Sequence, residues 1–180
     1  MFKTIFKKKI TESALANTLI NSIGDSVSKG FAEVAEIINS SKAFDVSPNI
    51  QKEDDEQFFR IVVAANIFFM RESLPNAQAV NVERLVFEKL ARVYDVEILK
   101  MRNVIEEYIS LMNRLNAPAK NFITSLPKAI FVKYNLNEFQ DQYFKRLNTP
   151  NPLFLKQMDD TVKNFIWDWE VFEDKYKIVL

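Results

Sequence analysis

Apolar residues recur along this chain at steps of three and four, the spacing that lines one face of an α-helix turning about 100° per residue. From Leu15 to Ile38 the set Leu15, Leu19, Ile20, Ile23, Val27, Phe31, Val34, Ile37 and Ile38 holds one phase across Gly24 and Gly30. That continuity favours a single long helix. The same pattern also fits two helices, broken at Gly24 with Asp25 capping the second. Gly30 falls on the apolar face, where a missing side chain would let a neighbouring backbone come close.

A loop over residues 40–53 follows. The acidic run Glu53-Asp54-Asp55-Glu56 then opens the next helix, where negative charge favours the positive end of the helix dipole. Pro75 ends it. Between them nearly every position is apolar, and only a narrow strip through Gln57, Arg60 and Arg71 is polar. A helix of that kind needs neighbours on most sides, which puts it at the centre of the fold.

The pattern predicts a helix over 81–94, facing inward through Val82, Val86, Phe87, Leu90 and Val93. A longer one runs to Leu115, with Asp95 as cap and Ile98, Met101, Val104, Ile105, Tyr108, Ile109 and Met112 on one side. Asn116, Ala117 and Pro118 stop it. Shorter helices are expected over 119–132, disturbed by Pro127, and over 137–147, with Asn137 as cap. In the last, 152–172, Phe154, Leu155, Met158, Val162, Phe165, Ile166, Trp169 and Phe172 share one face. Alternation at period two is confined to brief stretches at 2–6 and 177–180. The predicted fold is all-α: residues 11–180 form a single-domain bundle of six to eight helices around a Phe-rich core and one nearly fully apolar central helix. Residues 1–10 form a basic segment, either flexible or packed.

Composition narrows the chemistry. The chain of 180 residues has no cysteine and no histidine. This excludes thiol nucleophiles, disulfides, Cys/His zinc sites, serine–histidine triads and histidine acid/base catalysis. Two glycines cannot build a dinucleotide fingerprint or a phosphate-cradling loop. Twenty-four basic residues balance 24 acidic ones, which leaves no broad positive field for nucleic acid. The longest apolar run, residues 58–70, contains Arg60 and Asn66 and is too short to cross a bilayer. The basic start is not followed by an apolar stretch of the secretory type. A soluble, cytoplasmic protein is expected.

Within those limits association is the first expectation. Trp167 points away from the stripe of the last helix, with Val171 one turn on, and a tryptophan set outward is a common interface anchor. The sequence therefore suggests a non-enzymatic interaction or scaffold protein. Its partner is another protein or a second copy, bound through the C-terminal helix at Trp167 and Val171, and no cofactor is required. An alternative uses Glu33 and Glu36 with Glu53 and Glu56, carboxylates one turn apart on two helices. Such pairs suit Mg²⁺, and some all-α nucleotide pyrophosphohydrolases use them. A further alternative is an apolar ligand held between helices, since 16 phenylalanines could line a pocket as well as fill a core. Weaker readings are DNA contact through Lys100, Arg102 and Asn103 after a helical turn, and attraction of Lys3, Lys7, Lys8 and Lys9 to an anionic membrane surface.

Overall fold

A computed structural model describes residues 7–117 and 121–179. The alternation at residues 2–6, Phe2, Lys3, Ile5 and Phe6 of the basic segment, Pro118 and Leu180 lie outside the described residues. Among those described, eight α-helices and one pair of short strands make up the fold, so the chain is all-α. A continuous hydrophobic cluster draws buried side chains from every helix but one.

Helix α1, Glu12–Ser40, is unbroken. Thr11 caps it by accepting the Ala14 N–H at 3.2 Å, and neither glycine has a positive φ. At Gly30 the neighbour that comes close is a ring, not a backbone. A Cβ added there would lie 2.7 Å from the tip of Phe165. Beyond α1, Asn39 holds the loop by pairing with both backbone groups of Ile50, at 2.8 Å each.

Helix α2, Glu56–Ser73, is buried at Phe58, Ile61, Val62, Val63, Ala64, Ala65, Ile67 and Met70. It packs against α1 and all the larger helices introduced below except α7. It is the predicted centre. Its last turn presents Arg71 to Glu83 at 2.7 Å and to Glu106, tying the next two helices to it.

Helix α3, Asn76–Val93, starts five residues earlier than the pattern indicated and lies along α1. Asp95 does not cap the helix that follows. It takes a left-handed φ of 50° and closes α3, with the Val96 N–H returning to the Ala91 carbonyl at 2.9 Å, the long bond of a Schellman closure. Helix α4 is Ile98–Asn116. Helix α5, Ser125–Lys133, carries Pro127 in its first turn, where the missing N–H costs nothing. The helix expected over 137–147 is divided. A 3-10 turn, Leu136–Phe139, precedes α6, Gln142–Leu147, and the cap is Asp141, not Asn137, accepting from Tyr143 and Phe144.

The C-terminal helix expected over 152–172 is also two helices, α7 at Pro152–Lys163 and α8 at Trp169–Lys175. The cause lies on α2. Asn66, fully buried, donates to the Phe165 carbonyl at 2.9 Å and accepts the Trp167 N–H at 2.7 Å. It thereby satisfies the backbone of the break, and Asp168 caps the restart through the Val171 N–H. After α8, strand β2, Tyr176–Val179, pairs in parallel with strand β1, Lys8–Thr11. Lys8, Lys9 and Ile10 are therefore held by strand pairing, with the two lysine side chains exposed.

Candidate interaction groove

Two recesses adjoin where α1, α2, α3 and α4 meet. The larger, about 500 Å³, is floored by Ile20, Gly24, Val27, Phe59, Leu90 and Val93 and rimmed by Asp25, Asp55 and Glu56. The smaller, about 290 Å³, is lined by Val96, Met101, Val104 and Ile105, with Arg60 and Lys100 at its edge. Both share Glu56, Phe59, Leu90 and Tyr94. The rings of Phe59 and Tyr94 lie 6.0 Å apart and form a septum between the two.

Local structure explains the arrangement. Tyr94 is the residue at which α3 ends, so the turn carries its ring over the end of the bundle and onto the half-buried face of α2. Burial pushes its phenol above the usual tyrosine range, opposed by Arg60 and assisted by Glu56 and Asp55. The hydroxyl is thus neutral and polar at the lip of an apolar trough.

The same turn leaves a patch of apolar surface beside the groove. Val93 is 74% exposed, Leu99 70%, Ile98 44% and Tyr94 41%, four large side chains within seven residues. Single exposed apolar residues are ordinary, whereas a cluster of four bordering a recess is not. This corrects the sequence reading, which turned Val93 and Ile98 into the core. The helical phase was right, but at the α3–α4 turn no neighbouring side chain covers these two positions.

Comparison with known proteins adds no relative. The chain matches no family model, no curated protein and no solved structure.

The residues singled out in the sequence are dispersed. Trp167 is not on a free helical face. It sits in the α7–α8 break, half-buried, packed on Trp169 and Phe172 with ring centroids 6.2 Å away in each case. Val171, on α8, is 44% exposed. Glu33 and Glu36 are exposed on α1, Glu53 pairs with Lys52 at 3.7 Å and Glu56 pairs with Arg60. Lys52 also lines a recess with Glu36. Among the described residues no group of three or more acidic side chains converges to hold a metal ion. Lys100 edges the groove. Arg102 lies over the Phe87 ring at 5.0 Å and near Glu83, and Asn103 faces a different cleft, so these three do not form one surface. That cleft, about 930 Å³ between α4 and α5, has a mixed polar and apolar lining, and neighbours engage some of its groups. Gln57 accepts from Tyr108, Glu106 holds Arg71, and Lys133 lies 3.9 Å above the Tyr108 ring.

Sequence reasoning missed Phe59, Tyr94 and Leu99. Their signal was the density of apolar residues from Val93 to Leu99, across a turn that polar residues would ordinarily occupy.

Proposed function

We propose that this chain is a non-enzymatic association protein whose contact surface is the groove at the α3–α4 turn. The observation that carries the reading is the exposure of Val93 and Leu99 beside a trough divided by Phe59 and Tyr94. A partner seated there would bury about 100 Å² or more of apolar surface from each large side chain it covers, stabilising the complex at roughly 25 cal/mol per Å². The C-terminal helix is a weaker place for that contact. Trp167 is already packed on its neighbours, and Asn66 holds its backbone.

A photo-crosslinking amino acid placed at Leu99, and separately at Val171, tests the reading in the cell. Protein adducts at 99 and none at 171 are expected, and an adduct of twice the chain's mass would make the partner a second copy. Adducts at 171 alone would return the contact to the C-terminal helix. An absence of protein adducts at both positions would end the association reading.

A further inference from the structure

The two glycines of α1 present a contrast. Gly30 is required by the fold, because the Phe165 ring occupies the place of a side chain. Gly24 is not. Its φ is ordinary for any residue, and a Cβ added there meets nothing within 4 Å. Glycine is the poorest helix former after proline, so a glycine inside a 29-residue helix weakens that helix without any internal packing to compensate. It lies on the floor of the larger recess, in a notch open to the outside. Such a notch allows another backbone to approach closely.

The charge around the notch is one-sided. The charged residues lining this recess are Asp25, Asp55 and Glu56, beside the neutral phenol of Tyr94, and no lysine or arginine lines it; Glu56 is paired with Arg60, which with Lys100 edges the adjoining recess. The ion pair of Asp25 with Lys29, at 3.5 Å, is exposed on both sides and weakly bound. An apolar trough with an acidic rim is complementary to a helix carrying apolar residues on one face and basic residues along the flank.

Resting on the association reading above, we infer that the larger, acid-rimmed recess of the groove takes a basic amphipathic helix, which crosses α1 at Gly24. The apolar face lies on Phe59, Val93 and Tyr94, and the basic flank meets Asp25 and Asp55. Affinity depends on the notch as well as the charge, which separates this arrangement from general attraction between opposite charges.

The test uses the full chain and two synthetic 18-residue amphipathic helices, one of leucine and lysine and its twin of leucine and glutamate, followed by fluorescence anisotropy. The lysine peptide should bind at least tenfold more tightly, and added salt should reduce the difference. Gly24→Ala should raise Tm by about 2 °C while weakening the lysine peptide several-fold. Asp25→Asn with Asp55→Asn should weaken it without the rise in Tm. Equal binding of the two peptides, or an affinity untouched by Gly24→Ala, would overturn the inference. If neither peptide binds but crosslinking at Leu99 captures a protein, this partner class is wrong and association stands. Lack of adducts at Leu99 removes the groove as the contact surface, and lack at both Leu99 and Val171 removes the association reading as well.

Discussion

Replacing Asn66 with alanine isolates the device that divides the C-terminal helix. The side chain is fully buried in α2 and makes three bonds, to the Val62 carbonyl at 2.8 Å, the Phe165 carbonyl at 2.9 Å and the Trp167 N–H at 2.7 Å. Val62 keeps its place in the helical ladder, so its loss is small. The Phe165 carbonyl would be left buried without a partner, costing about 1–3 kcal/mol, and the partly buried Trp167 N–H roughly 1 kcal/mol more. Alanine's better helix propensity returns up to about 0.7 kcal/mol. The expected loss is about 1.5–3.5 kcal/mol, a substantial share of the roughly 5–15 kcal/mol that holds a domain folded. Urea unfolding followed by circular dichroism measures it, and acrylamide quenching of tryptophan fluorescence should show the Trp167–Trp169 cluster opening. A loss below about 1 kcal/mol with unchanged quenching would mean that the break is held by something other than Asn66.

Two further outcomes follow from neighbouring features. Gly30→Ala should lower stability by about 1–2 kcal/mol, because the Phe165 ring, packed edge-on to Phe58 at 4.8 Å, cannot retreat freely. Thermal unfolding of the pair Gly24→Ala and Gly30→Ala should show shifts of opposite sign. Tyr134 accepts the Phe58 N–H at 3.2 Å and donates to the Asp54 carbonyl at 2.6 Å, and burial raises its phenol well above the ordinary 10.0. A proton held more tightly in the folded state gives stability that is complete below about pH 10 and is lost as pH rises toward the folded value. Tyr134→Phe should therefore flatten the fall in Tm above pH 10, and an unchanged alkaline limb would show that this phenol does not govern it.

What the sequence made legible is what helical periodicity encodes. The continuous stripe of α1, the apolar circumference of α2 and the all-helical class follow from spacing alone. The division at residues 164–168 does not. The apolar phase runs straight through it, and the group that stabilises it lies about 100 residues away on another helix. The local signs were slight, an Asp168 able to cap and a lone asparagine inside an apolar helix, and neither is unusual by itself. The groove was hidden for a related reason. Periodicity says which face of a helix is apolar, but not whether a neighbour fills the space against it, and Val93 and Ile98 are left uncovered.

The pairing of β1 with β2 has a kinetic meaning. Lys8 meets Tyr176, so closing that ribbon from an open chain would confine nearly all the described residues in one loop, at an entropic cost of roughly 4–5 kcal/mol. Four residue pairs in an isolated two-stranded sheet cannot meet that cost unaided. The ribbon must form after the helices have already brought its strands together. Its amides should gain protection last during refolding and exchange first in the native state, which makes them a clock for completion of the fold.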